Sequence, residues 1–446
     1  MAVDRRATLQ RTCDVLVVGG GATGVSAAVT AARHGLSVCL IEKYGFCGGG
    51  AVAGLSGTIC GLYEATDDVG APPVKVVHGF VDEFIHLMEK RGGLAPPVRY
   101  GKTFTRVHDP LVWREAADEL LQAADVEIFF HTTVTGVLLD GDRVVGVSAY
   151  CKEGVLDVRA ATVIDASGDA DIVAMAGFET FIGADGRVQN PTMIFRLLGV
   201  DVDRFQSHFG SDTIMPAAVT SLIQEAVESR KYDLPRSKIW LFPTTRPGEL
   251  LCNCTRIVGS DGRELNPLYA ADFTEAELAG RRQVREYARF FRDTLVGCEQ
   301  SWVNDTAIQV GVRQTRQGLG TYVLRNDDVV HAAKFADGIA RSPWPIELHS
   351  GQKPIVNWIK NDFYEIPFRC FVPVRGEGLL FAGRCLSAEH EAVASARVTA
   401  QCFSYGQAVG HAAALAVSGS IALRAIDGRK IREILNNEGA QLDDCP

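Results

Sequence analysis

Residues 13–42 read CDVLVVGGGATGVSAAVTAARHGLSVCLIE. Positions 15–18 form a continuous apolar run, as a parallel strand buried on both faces requires. Gly19, Gly21 and Gly24 then fit G-x-G-x-x-G. In that spacing the first glycine permits a tight turn, and the second lets a pyrophosphate approach the backbone. The third packs the following helix onto the strand. A helix from Ala22 to about position 34 would aim its unpaired N–H groups and positive dipole end at the phosphate. Residues 38–41 read as the next strand. Glu42 stands where a carboxylate accepts from both ribose hydroxyls and repels a 2′-phosphate. The stretch predicts an ADP-ribose site of the FAD or NAD kind, not of the NADP kind.

At 446 residues the chain exceeds one ordinary core, so two domains are expected. An apolar share of 47% with 22% charged residues describes a globular protein. A net charge of −9 argues against a nucleic-acid partner. No apolar run reaches membrane-spanning length, and the opening MAVDRRATLQRTCD lacks the apolar core of a signal peptide. Twelve cysteines, from Cys13 to Cys445, follow neither C-x-x-C nor zinc-ligand spacing. Reduced thiols, a cytoplasmic location and no metal site are the expectation.

After Glu42 comes GFCGGGAVAGLSG, too glycine-rich for a strand and suited to lying flat against a large planar ligand. Helical spacing runs over 75–91. A second helix is expected after Asp109, a cap, and Pro110, a first-turn residue. A buried strand follows at 126–130. From 133 to 160 the period changes to two, predicting an antiparallel meander of 134–139, 144–151 and 155–158. Residues 161–165 return to a buried strand that leads into ASGDAD. A parallel nucleotide-binding sheet crossed by such a meander is the pattern of FAD-binding chains, whereas an NAD dehydrogenase continues with βαβ units.

Residues 186–372 change texture, with extended stretches (193–200, 250–256) and helices at 217–230 and 274–292, the latter opened by a capping box Thr274…Glu277. In the second of those extended stretches, Cys252 and Cys254 flank Asn253 as packing residues. Residues 378–382 form another strand, and a helix rich in glycine and alanine near the end suits close packing against the sheet, with Gly419 as its stop. The expected fold class is α/β: a Rossmann-like FAD-binding domain with a three-stranded meander, in segments 1–185 and 373–446, plus an inserted α+β substrate domain at 186–372.

Five blocks carry a family resemblance: the first βαβ unit; GFCGGGAVAG; ATVIDASGDADIVAMAG; VGVRQTRQGLGTYVL with NDDVV; and IPFRCFVPV followed by LLFAGRCLSAEHEAVASARVTAQCFSYGQAVGHAAAL. With these the chain resembles the FAD-dependent oxidoreductase family, flavoproteins with a glutathione-reductase-like FAD fold. The resemblance implies a flavoprotein and leaves the substrate open. It places Gly19, Gly21, Ala22, Thr23 and Gly24 on the pyrophosphate, and Glu42 with its neighbour Lys43 at the adenosine ribose. Gly48, Gly49, Gly50, Ala51 and Ala53 would lie along the ribityl chain and one flavin edge. Val134 would meet the adenine through its backbone. Ala166, Ser167, Gly168 and Asp171 form a second turn beside the cofactor, and Gly383 and Arg384 reach the ribityl and phosphate. The helix beginning at Thr399 and Ala400 would point its N-terminus at the flavin N1–C2 side, where reduced flavin is anionic. Cys47 stands where the family pattern expects an aliphatic residue: a redox thiol, a covalent flavin link, or a small buried residue.

The chain has one strand–G-x-G-x-x-G–helix unit. With FAD in it, nicotinamide has no docking domain, so electrons pass between a small-molecule substrate and oxygen, a quinone or a partner protein. His390 is the candidate over the flavin, as base for a C–OH or C–NH proton or as a ligand of a substrate carboxylate; the alternative is a histidine that orders its loop. His349 is catalytic or structural. Arg397 either clamps an anionic substrate or pairs with Glu389 or Glu391. Arg313 and Arg316 stand at an active-site edge or in a structural ion pair. Tyr364 and Tyr405 are further proton donors to weigh, and His34 and His411 read as structural. The expected function is oxidation of a small polar metabolite by hydride transfer to flavin N5. An ene-type reductase of a carboxylate and a non-catalytic FAD subunit of an electron-transfer complex stand beside it, and a homo-oligomer is compatible with each.

Overall fold

The computed structural model describes residues 8–349 and 355–443; Cys445 and the first seven positions lie outside the described residues. A sheet runs in the order Glu127–Phe129, Val38–Ile41, Leu9–Val18, Gly154–Asp165, Arg143–Cys151, Thr133–Asp140. Leu379–Phe381 pairs in parallel with the last residues of Gly154–Asp165. The opening strand is parallel to both its neighbours, with Val15 opposite Val38 and Val18 opposite Asp165. Val15, Leu16 and Val17 are fully buried, which is why the segment reads as apolar without alternation. The meander forms as expected, but its third strand and the buried strand after it are one 12-residue element, Gly154–Asp165. Its first half, 154–159, pairs with the meander while 156–165 pairs with the opening strand, so the two pairings overlap and nothing interrupts it.

Glu127–Phe129 is the edge strand and is partly exposed rather than buried. The helix expected over 75–91 is confined to Phe80–Lys90, and Asp109 caps Pro110–Ala123 by accepting from the Leu111 N–H at 2.7 Å. The helix Thr399–Gly419 was expected to pack against the sheet but packs chiefly on the dinucleotide helix Ala22–Arg33, with a further helix, Gly428–Asn437, after it. Gly406 explains the closeness: a Cβ there would lie 1.9 Å from Ser26 Oγ and 2.1 Å from the Thr23 carbonyl. Two side chains lock the pair, Thr23 Oγ1 donating to the Cys402 carbonyl (2.9 Å) and Ser26 Oγ to that of Phe403 (2.8 Å). The stop is Ser420 in the left-handed region, not Gly419.

A second layer stands over one end of this body. Its four-stranded antiparallel sheet runs Trp240–Pro243, Glu249–Asn253, Phe195–Leu198, Trp302–Thr306. Behind it lies Ala270–Thr294, which starts four residues before the expected capping box. Thr274 bonds back to the Ala270 carbonyl inside the helix, and Glu277 accepts from the Val310 N–H. The second core includes Leu55, Tyr100 and Val107 from the first segment, while Leu324, Ile339, Tyr364 and Phe368 pack with the first core. Packing therefore crosses the segment division in both directions. Tyr44 and Gln309 join the layers by a side-chain hydrogen bond. No helix among the described residues is long and apolar enough to cross a membrane.

Candidate active site

Four parallel strands end on the same side, at Val18, Ile41, Asp165 and Phe381. Gly19, Glu42, Ala166 and Gly383, just beyond those ends, all line a cleft between the layers, ≈ 1640 Å³ counting its open mouth. Ligands of open α/β sheets bind in this position. Each glycine of the motif has a separate geometric duty. Gly19 has φ +103°, and a Cβ on it would sit 2.4 Å from the Ala166 carbonyl oxygen. One on Gly24 would sit 1.8 Å from the Gly19 oxygen. Gly21 instead opens onto the cleft, its nearest neighbour being Gly49 Cα at 3.9 Å, and Gly50 has nothing within 4 Å. These are backbone surfaces left bare for a ligand.

The helices Ala22–Arg33 and Thr399–Gly419 both begin at the cleft without a side-chain cap or an acidic residue in the first turn. First-turn N–H groups are thus available to anions, except that of Ala400, which donates to the Cys60 carbonyl. Thr23 and Thr399 line the space with Lys43, Gly48, Gly49 and Ala51. Glu42 is buried, accepting from the N–H groups of Gly20 (2.7 Å) and Tyr44 (2.9 Å); burial raises its pKa against those donors. Ser167, Gly168 and Arg384 complete this end. Arg384 Nη1 lies 2.9 Å from Asp169, and burial opposes ionisation of that carboxyl, but Arg384, Thr315 and Lys43 outweigh it and hold the pKa low. The turn is shaped by Asp165, which accepts from Ser167 and from the N–H groups of Ile172 and Val173. Bare glycine backbone, two uncapped helix starts and a ribose-side carboxylate fit FAD.

Five proposed cofactor residues do not line the cleft. Gly24 lies behind Gly19, and Ala53 bonds Gly49 and Gln309 through its backbone. Ala400 is buried in the first helical turn, its N–H on the Cys60 carbonyl. Val134 is paired with Ala149 in the meander. Asp171 accepts from Arg316 at 2.8 Å, its pKa pushed up to about 6 by burial and then by Asp169 and Asp165. Cys47 is buried behind Gly20, where burial raises its thiol pKa and keeps it a neutral packing group.

The other end of the cleft is built from charge. Arg313, Glu347, His349 and Arg397 line it, with Tyr100, Asn253 and Trp344. The Tyr100 hydroxyl reaches both Glu347 oxygens, at 2.9 and 3.0 Å. His349 Nε2 is 3.5 Å from Glu347 Oε1. Burial, then Arg313, Arg236 and Arg397, holds the His349 pKa well below the ordinary value, so its imidazole is neutral. Arg313 donates to the Asn190 carbonyl at 2.6 Å and Arg397 to Gln189 Oε1 at 3.2 Å. Arg236 stands behind this wall, donating to Asn253 at 3.3 Å, with its guanidinium 4.1 Å over the Trp240 ring.

Arg397 and His349 therefore meet in the cleft, and Arg397 pairs with neither Glu389 nor Glu391. His390 is elsewhere: its ring lies beside Gly183 and it is not among the cleft-lining residues. The reason is the path of its loop, which bonds to residues 370 and 324 through Ser387 and Glu389 before helix Ala392–Ala396 returns to the cleft. Burial, then Arg187, lowers its pKa. Arg313 and Arg316 divide between the two readings, one at the cleft and one in the ion pair with Asp171. Tyr364 bonds Ser395 and Tyr405 bonds the Ala396 carbonyl. His34 and His411 bond one another at 2.9 Å. Sequence reasoning missed Tyr100, Arg236, Asn253 and Glu347. Two had a signal: Glu347 is a lone acid in the apolar run WPIEL, and Asn253 is polar between two buried cysteines.

Comparisons with known proteins agree with this architecture. Digeranylgeranylglycerophospholipid reductase of Thermoplasma acidophilum is 27% identical over 213 residues, covering 46% of this chain and 52% of that protein. Digeranylgeranylglycerophospholipid reductase 1 of Methanococcoides burtonii is 26% identical over 288 residues, 59% of each. The chain thus spans about half the length of the curated relatives it matches. The solved structure of a geranylgeranyl bacteriochlorophyll reductase-like protein from T. acidophilum shares the fold, with TM-score 0.51 and 15% identity over 96% of this chain and 83% of that one. The profile of the FAD dependent oxidoreductase family matches residues 14–435, so this chain belongs to that family and takes FAD as its cofactor.

Proposed function

We propose that this chain oxidises a small polar substrate by hydride transfer to FAD, with His349 as the base and Arg313 and Arg397 holding the substrate. The supporting observation is a neutral imidazole beside a carboxylate in the same cleft as the glycine turn. Bound FAD supplies the two-electron acceptor. His349 takes a proton from a C–OH or C–NH as the hydride leaves. Glu347, 3.5 Å away and held by Tyr100, stabilises the resulting imidazolium. In this reading segments 1–185 and 373–446 supply the cofactor turns and Arg397, and 186–372 supplies Arg313, Glu347 and His349. Electrons then leave to oxygen, a quinone or a partner protein.

The test is anaerobic mixing of FAD-loaded protein with hydroxy acids, amines and sugars, reading the visible flavin band. A substrate should bleach it, and His349→Gln should slow bleaching by roughly 100-fold or more with FAD retained. An unchanged rate in that variant removes His349 from the role. A second reading, reduction of a C=C bond, is favoured by Arg397, whose pKa is drawn down to about 10 by burial against the opposing pull of Glu347. That direction predicts reoxidation of dithionite-reduced protein by an enoate.

A further inference from the structure

We infer that the substrate of this site carries two anionic groups, and that a small dicarboxylate is its class. The inference rests on the cleft end proposed above as the substrate site. The two other arginines as buried as Arg236 and Arg313 sit on carboxylates: Arg106 on Glu89 (2.6 Å), and Arg196 on Asp305 and Glu249. Arg236, Arg313 and Arg397 do not. Their hydrogen bonds go to neutral acceptors: Asn253 Oδ1, the Asn190 carbonyl and Gln189 Oε1. Arg236 Nε and Nη2 and Arg397 Nε are buried without a hydrogen-bond partner among the described residues. Arg236 is only 3% exposed and Arg313 8%.

Glu347 is the carboxylate facing these three guanidinium groups, and its oxygens already accept from Tyr100. With His349 neutral, the described residues at this end of the cleft carry two positive charges in excess, three arginines against Glu347. Buried charge without a counter-charge is unfavourable, so the arrangement is complete only with a dianion. Arg313 and Arg397 line the cleft and would each take one carboxylate, while Arg236 offsets Glu347 from behind. The charge balance also survives turnover. The substrate C–H pair leaves as hydride to FAD, the O–H or N–H bond breaks, and a C=O or C=N bond forms. The proton stays on His349, so the total charge of the filled site does not change.

Calorimetric titration of FAD-loaded protein with malonate, succinate, propionate, malonamide and inorganic phosphate tests this. Malonate or succinate should bind at least tenfold tighter than propionate, with malonamide not bound. Arg313→Gln and Arg397→Gln should each weaken malonate roughly 10- to 100-fold with one FAD per chain retained. Arg313→Lys and Arg397→Lys should recover part of the loss. The wild-type ligand series stands by itself if a variant fails to fold. Equal affinity for propionate and malonate, phosphate bound as tightly as malonate, or loss of FAD from folded glutamine variants would each overturn the inference. Malonate binding without flavin reduction by any 2-hydroxy- or 2-aminodicarboxylate sinks the oxidase or dehydrogenase reading and leaves this one standing. Flavin reduction by a neutral substrate with no dicarboxylate binding does the reverse.

Discussion

At one end of the cleft Gly19, Gly21 and Gly49 offer backbone to a ligand; at the other, Arg313, Arg397, Glu347 and His349 offer charge. The glycine end is set within one βαβ unit, where the strand fixes the turn and the helix supplies the N–H groups. The charged end is gathered from five distant stretches, and its side chains are held by Asn190, Gln189 and Tyr100. A site of backbone tolerates no added atom, whereas a site of side chains is tuned by its charge count. The two ends should therefore fail differently when altered.

The largest effect is expected at the glycine end. Gly24→Ala places a methyl 1.8 Å from the Gly19 carbonyl oxygen, so the helix must move off the turn proposed here as the pyrophosphate site. FAD affinity should fall by roughly 100-fold, the scale of overpacking strain, as read by flavin titration. Retention of wild-type FAD affinity would mean that the turn is not the anchor.

Acidification tests the core beneath both ends. His108 is 3% exposed, packs at a tilt on Trp113 with ring centroids 4.6 Å apart, and has its pKa lowered from 6.5 to about 4, chiefly by burial. Below pH 6.5 the unfolded chain binds this proton and the folded chain does not. Stability is therefore intact above pH 6.5 and falls as pH drops towards 4, by on the order of 3 kcal/mol from this group. Thermal melts from pH 7 to 4 should show that loss, and His108→Gln should flatten it; an equal slope in the variant would assign the loss to other groups.

The smallest effect is expected at His390. Because its loop carries it to Gly183, His390→Gln should change the rate of flavin reduction by no more than roughly twofold. A loss comparable to that of His349→Gln would bring His390 back to the reacting atoms and overturn the division between the two histidines.

The contrast also explains what could be read in the residues. The nucleotide fold, the meander and the return of the helix Thr399–Gly419 were legible because each follows local periodicity or glycine spacing. Gly19, Gly21 and Glu42 were legible for the same reason. Arg397 and His349 were identified as candidates, but which histidine faces the cleft depends on hydrogen bonds from Ser387 and Glu389 to residues 370 and 324. No periodicity encodes such a long-range pairing. Tyr100 and Arg236 left no local trace, since an ordinary strand-end tyrosine and a loop arginine acquire meaning only where the second layer closes over the first. The helix Thr399–Gly419 was read correctly as a close-packing element, yet its partner was misassigned: small residues specify proximity and not the neighbour. Its true partner follows from Gly406 lying against Ser26 and Thr23.

A crystal structure of the protein with FAD and malonate tests the division of the cleft most directly. The account predicts the pyrophosphate at Gly21–Thr23 beside the start of the dinucleotide helix, and malonate carboxylates between Arg313 and Arg397 on the flavin face nearest His349. Phosphate oxygens of FAD seated on Arg313 and Arg397, with no room left for malonate, would contradict it.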